Sequence, residues 1–171
     1  KYGGVFISDV VGLGKTYIVA KLLKNLIKEN PKERILVLAP PAIIDRNNPG
    51  SWERILNEYG VPAVCRSTGI LDKVFEQDSE DKTIIVIDEA HRFRTEETGQ
   101  YESLHKICKG NKKIILVTAT PLNNYPRDVL NQIKLFQNIK DSDIPHVRNL
   151  EKFFNDLQKK IGISRNLASF D

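Results

Sequence analysis

Runs that are apolar on both faces alternate with amphipathic stretches along the chain, and this alternation predicts its elements. The first short run, Gly4–Ser8, predicts a strand that ends at a glycine-containing turn. From Thr16 to Glu29 apolar residues recur at Ile18, Val19, Leu22, Leu23, Leu26 and Ile27, which is helical spacing, and Pro31 stops it. Arg34–Ala39 is a continuous apolar strand. Asn48 and Pro49 predict the opening of a second helix, which runs through Trp52, Ile55 and Leu56 and closes at Gly60. Ala63–Arg66 is a short strand and Leu71–Glu76 a weak helix. Thr83–Asp88 is the strongest strand of the chain. Gly99–Lys109 is a helix closed by Gly110, and Lys113–Thr118 another buried strand. Pro126–Phe136 and Leu150–Ile161 are the last two helices.

Strands without a polar face, separated by helices, imply an α/β fold whose mostly parallel sheet is covered by helices on both faces. Right-handed crossovers bring the carboxyl ends of the strands to one edge, where such folds bind ligands. Asp, Ser and Pro interrupt the pattern between Asp141 and Arg148, so residues 1–140 are read as one lobe. Residues 141–171 are read as a helical appendage or the start of an insertion, with Phe153, Phe154, Leu157 and Ile161 as its apolar stripe.

Composition narrows the class. The chain has 171 residues, 40% hydrophobic and 28% charged, enough for one self-sufficient core and too apolar for a disordered chain. No apolar run approaches the roughly 20 residues of a bilayer span, so no membrane partner is expected. No leader opens the sequence, and Cys65 and Cys108 lie far apart without metal-ligand spacing. They read as reduced core thiols of a cytoplasmic protein, nucleoid-associated if bacterial. The start at Lys1 on a strand and the polar end predict a piece of a longer protein. Residues 1–110 balance 16 basic against 16 acidic side chains, so the net charge of +4 comes entirely from residues 111–171. A surplus this small reads first as a solvated face and only weakly as a nucleic-acid footprint.

Three strings carry chemistry. Asp9–Thr16 lies between a strand and a helix and matches a phosphate loop, G-x-x-x-x-G-K-[ST], except that Asp9 stands for the first glycine. Gly12, Leu13 and Gly14 offer backbone N–H groups to a phosphate, aided by the helix N-terminus. Lys15 supplies a point charge for terminal phosphates, and the Thr16 hydroxyl is a magnesium ligand. The plain alternative is a glycine turn with a solvated lysine. The second string ends a buried strand in Asp88-Glu89-Ala90-His91. Asp88 suits Mg²⁺ and Glu89 suits polarising an attacking water, while helix capping would explain adjacent acids equally well taken alone. His91 either relays the nucleotide state or is structural. The third, Thr118-Ala119-Thr120-Pro121, ends a strand in hydroxyls able to read the acidic pair.

Together Asp9–Thr16, Asp88–His91 and Thr118–Asn124 resemble motifs I, II and III of superfamily-two helicases. The Asp-x-x-Gly-Leu-Gly-Lys-Thr and Thr-Ala-Thr-Pro-Leu-Asn-Asn forms resemble those of the Swi/Snf-type DNA-dependent ATPases, and the bacterial subgroup that carries a phospholipase-D-like nuclease domain is the nearest type. Leu36–Pro41 resembles motif Ia, and Trp52-Glu53 the Trp-containing helix after it. The likeness covers roughly residues 3 to 137. It implies a RecA-like P-loop lobe that uses ATP and Mg²⁺, with Lys15, Asp88 and Glu89 catalytic, Thr16 and Asp88 on the metal, and His91, Thr118 and Thr120 coupling. It also implies sequence-independent DNA contact, for which the backbone of Ala42 and Ile43 is the candidate, helped by Lys112, Lys113 and Arg127. A second RecA-like lobe with an arginine finger would follow in the same parent chain. The alternatives are a restriction-system motor subunit and a non-catalytic nucleotide-dependent scaffold.

Overall fold

A computed structural model describes residues 3–8, 14–93, 99–119 and 126–168. Five strands form one parallel sheet: β1 (Gly4–Ser8), β2 (Ile35–Ala39), β3 (Ala63–Ser67), β4 (Ile84–Ile87) and β5 (Lys113–Thr118), in the spatial order β1-β5-β4-β2-β3. The register sets Ser8 beside Thr118, Leu116 beside Ile87, and Ile87 beside Leu38. The carboxyl ends of all strands therefore share one edge, as the alternation of elements implied.

Successive side chains on a strand point to opposite faces, and here both faces are apolar. Ile35, Val37, Ala39, Ile84, Val86, Ile115 and Val117 face helices α1 (Lys15–Glu29) and α2 (Trp52–Glu58). Leu36, Leu38, Ile85, Ile87, Ile114 and Leu116 face α3 (Leu71–Asp78) and α4 (Gly99–Cys108). A third cluster joins α5 (Pro126–Ile133) to α6 (Leu150–Ala168) through Leu130, Ile133, Leu150 and Phe154, with Phe6 and Phe136 packed against it. Cys65 and Cys108 are buried and unpaired, and burial pushes each thiol up to about 12. They are inert core groups at neutral pH.

Three boundaries differ from the periodicity reading by three residues or more. The second helix starts at Trp52, not at Asn48, because Ser51 caps it: its Oγ accepts the Arg54 N–H at 3.3 Å. Residues 45–51 form turns instead, with the Asn48 N–H donating to Asp45 O and the Ser51 N–H to Asn48 O. Helix α5 stops at Ile133, where the chain turns to bring Phe136 under Gly4. Helix α6 continues seven residues past Ile161, to Ala168.

The opposite edge of the sheet is closed by Glu33. Its carboxylate accepts from Thr83 Oγ1 at 2.5 Å and Asn30 Nδ2 at 3.1 Å and pairs with Lys113. Burial pushes the Glu33 carboxyl up, and Lys113, Thr83 and Asn30 more than offset this, so it titrates below its ordinary value.

Candidate functional site

Strand geometry assembles the site at the carboxyl edge. Strand β4 is buried throughout and delivers Asp88 at its end, where the Asp88 N–H donates to Leu38 O at 2.8 Å. Asp88 is 7% exposed. Its Oδ1 accepts the Glu89 N–H at 2.8 Å, and its Oδ2 accepts the Trp52 indole N–H at 2.7 Å. Burial pushes the Asp88 carboxyl above its ordinary value. The Trp52 and Glu89 N–H donors oppose that push, the Glu89 carboxylate adds to it, and the Lys15 ammonium works against it. Lys15, the first residue of α1, therefore acts electrostatically on Asp88 across the sheet edge.

Helix α1 begins behind Gly14, whose φ of 75° and ψ of 29° are left-handed. Glycine adopts that conformation without the steric cost of a Cβ, and it lets the Tyr17 and Ile18 N–H groups close on Gly14 O at 2.9 and 3.2 Å. Thr16 follows Lys15 in the same first turn.

Glu89 also has a left-handed backbone, with φ of 53°. A non-glycine residue there carries about 1–2 kcal/mol of strain. The bend turns the chain out of β4 into the short turn Ala90–Phe93, where His91 comes back over the sheet. His91 Nδ1 lies 3.1 Å from Glu89 Oε2 and 3.3 Å from Thr118 Oγ1. A carboxylate oxygen only accepts, so an Nδ1–H donates to Glu89, while the Thr118 hydroxyl can donate or accept. Thr118 is fully buried at the end of β5, between the strands that end at Ser8 and Ile87.

The structure thus gathers Lys15, Asp88, Glu89, His91 and Thr118 at one edge. Gly12, Leu13 and Thr120 lie outside the described residues. Ala42 and Ile43 sit in the short turn Pro41–Ile43 after β2, on the same edge. The Ile43 N–H, expected as a phosphate donor, closes that turn onto Pro40 O at 3.1 Å. Ala42 is exposed, and its carbonyl accepts from Asn48 Nδ2 at 3.0 Å. Lys112 and Lys113 do not reach this edge. Lys113 opens β5 at the far edge beside Glu33, and Lys112 Nζ donates to Ser79 O and Ile107 O at 2.7 and 2.9 Å. Their basic charge serves the fold. Arg127, at the start of α5, is exposed.

The motif reading places Trp52 in the Trp-containing helix after motif Ia but gives it no role at the site. A buried indole needs an acceptor for its N–H, and that requirement is the signal that marks it. Its sequence position, 36 residues from Asp88, names no partner.

The chemistry of the donor set fits a hard divalent cation. Asp88 is a buried carboxylate with one N–H on each oxygen, which leaves a lone pair on each, and Thr16, in the first turn of α1, carries a hydroxyl of the same hard-oxygen type. Among the described residues no group of three or more His, Cys, Asp and Glu side chains gathers as a metal cage. No described helix is long and apolar enough to cross a membrane.

The model of the DEAD/DEAH box helicase family matches residues 43–129, and that of the type III restriction enzyme res subunit matches residues 2–68. An uncharacterized ATP-dependent helicase of Bacillus subtilis (strain 168), YqhH, is 27% identical over 156 residues, covering 79% of this chain and 26% of that protein. The CHD3-type chromatin-remodeling factor CHR7 of Arabidopsis thaliana is 29% identical over 198 residues, covering 96% of this chain and 15% of its own length. The SWI2/SNF2 ATPase core of Sulfolobus solfataricus, solved in complex with dsDNA, superposes with a TM-score of 0.62 at 20% identity. That superposition covers 88% of this chain and 33% of the other, and it establishes a shared fold. The chain spans about a quarter or less of the length of these two relatives.

Proposed function

Starting from the chain's membership of the DEAD/DEAH box helicase family, as a superfamily-two lobe of the Swi/Snf type with a RecA-like fold, we propose that it is the ATP-binding lobe of a DNA-dependent translocase. The family uses ATP, and the finer assignments that follow are this reading's own. The observation that carries it is the convergence of Lys15, Asp88, Glu89, His91 and Thr118 on one sheet edge.

In this reading the Gly12–Thr16 segment binds the phosphates through backbone N–H groups, and Lys15 Nζ draws the terminal phosphate toward Asp88. Thr16 and Asp88 would hold Mg²⁺, which supplies charge neutralisation on the phosphate oxygens when bound. The two N–H donors favour the ionised form of Asp88 that this task needs, against burial, which pushes the carboxyl above its ordinary value. Glu89 orients the attacking water and takes its proton on a carboxylate oxygen. His91 holds Glu89 Oε2 beside Thr118 Oγ1, so a movement of β5's end reaches the base directly. A second lobe in the parent chain would bring an arginine finger, and Ala42 would meet a DNA phosphate through its N–H. Such contacts are independent of sequence.

The test is binding of a fluorescent ADP analogue with MgCl₂ to this chain, together with ATP turnover by a longer protein carrying both lobes, with and without duplex DNA. Binding that Lys15→Ala abolishes, and turnover that DNA stimulates, are the expected results. Unaltered binding by the variant would reject the site. The restriction-subunit match over residues 2–68 supports a second reading, a restriction motor, which predicts that turnover distinguishes methylation-marked from unmarked duplex.

A further inference from the structure

Trp52 is the single tryptophan of the chain and opens α2. It is fully buried among Val19, Leu23, Ile55 and the strand residues of that face. Packing alone would be served by a phenylalanine or a leucine. An indole brings an N–H that must be satisfied, and the acceptor used here is Oδ2 of Asp88, 2.7 Å away. With the Glu89 N–H on Oδ1, the carboxylate is clamped from both sides. Its rotamer is fixed, and its remaining lone pairs have fixed directions. Asp88 is 7% exposed and directly follows β4, while Trp52 comes from a helix on a different segment, so the bond joins two parts of the fold at the site.

We propose that Trp52 is a positioning residue for the cation-binding carboxylate: its indole N–H holds Asp88 in the orientation that accepts Mg²⁺. The proposal rests on the reading of Asp88 as a metal ligand. Outer-sphere hydrogen bonds of this kind are worth about 10- to 100-fold in metal affinity. A role confined to packing makes a different prediction, since loss of packing would disturb the fold and the nucleotide pocket without singling out the metal.

Because there is one tryptophan, the ¹⁵N-labelled chain has one indole N–H resonance, which reports this bond alone. Three measurements decide the matter. The first follows that resonance in the chain saturated with ADP, in EDTA and then through a MgCl₂ titration. It is expected to be protected from solvent exchange and to move as Mg²⁺ binds. The second compares Trp52→Phe with the unsubstituted chain for ADP affinity in EDTA, which is expected to be unchanged. The third compares the MgCl₂ concentration that half-saturates the ADP complex, which is expected to rise about 10-fold or more in the variant. An indole resonance that ignores saturating MgCl₂, or a variant with the unsubstituted Mg²⁺ requirement, overturns the proposal. So does a variant in which metal-free ADP affinity falls by the same factor as Mg²⁺ affinity, which is the mark of a packing role. Should Trp52→Phe fail to fold, the indole titration of the unsubstituted chain decides alone. If the unsubstituted chain binds no ADP under either condition, the nucleotide-site reading fails and the proposal with it, an outcome distinct from ADP binding with a silent indole.

Discussion

At the scale of single residues, the site depends on charges placed where water is scarce. The Lys15 ammonium acts on the buried Asp88 carboxylate, and the same charge is what a bound phosphate would meet. Lys15→Ala should therefore abolish Mg-nucleotide binding while leaving the fold intact. Titration calorimetry beside circular dichroism checks this, and equal affinity in the variant would remove Lys15 from the site. Glu89→Gln keeps the shape and hydrogen-bonding reach of the side chain but loses the base. In a protein with both lobes it should bind ATP normally and turn over at least about 100-fold more slowly, the lower range for general-base catalysis. Glu89 and His91 were visible in the sequence as members of a motif, and so was the strand that delivers them. The left-handed bend at Glu89 was not, because no glycine announces it. The bond from Trp52 to Asp88 was equally hidden, since that partner is set by how α2 packs on the sheet and not by local spacing.

At the scale of elements, the buried strands were legible because a parallel strand covered on both faces has no polar alternation to confuse it. Residues 35–39 and 84–87 are buried at every position. The start of α2 was less legible: Pro49 is a plausible first-turn residue, yet Ser51 supplies the side-chain cap and wins. Two element contacts invite measurement. A methyl group added at Gly4 would sit 2.5 Å from Cγ of Phe136, at the near end of a ring that packs edge-on against Phe6. Gly4→Ala should destabilise the chain by about 1–3 kcal/mol, the usual cost of overpacking, and Phe136→Leu should relieve part of it. Thermal melts of the single and double variants test this. Glu33, which ties β2 to β4 and β5 at the far edge, titrates below its ordinary value of 4.5. A depressed folded-state pKa adds stability that is present above the unfolded value and is lost as pH falls through the folded one. Melting temperature should therefore drop as pH falls below about 4.5, and Glu33→Gln should flatten that drop while lowering stability at pH 7. An acid limb unchanged in the variant would show that other carboxylates set it.

At the scale of the whole molecule, the groups gathered at the sheet edge are, in the proposed reading, one half of a two-lobe motor. In that reading Lys15, Asp88, Glu89 and Thr118 bind and orient phosphates and a water, and the arginine comes from the second lobe of the parent chain. An arginine finger contributes on the order of 10³-fold or more in related phosphoryl transfers. By itself the chain should therefore bind Mg-nucleotide and show almost no ATPase, with or without DNA. Its hold on DNA should be equally incomplete. Two of the lysines that supply the chain's surplus charge, Lys112 and Lys113, are spent on carbonyls and on Glu33 at the far edge. The exposed Ala42, in the turn after β2, and the exposed Arg127, in the first turn of α5, remain as the candidate contacts. Few phosphate contacts mean weak binding, indifference to sequence, and a shallow loss of affinity as salt rises, about one decade of slope per phosphate neutralised. Fluorescence anisotropy on unrelated duplexes of equal length, at two salt concentrations, measures all three. Arg127→Ala should reduce the salt slope by about one without changing nucleotide affinity. Preference for one duplex, or affinity independent of salt, would mean that this edge recognises bases or another partner and does not track a phosphate backbone.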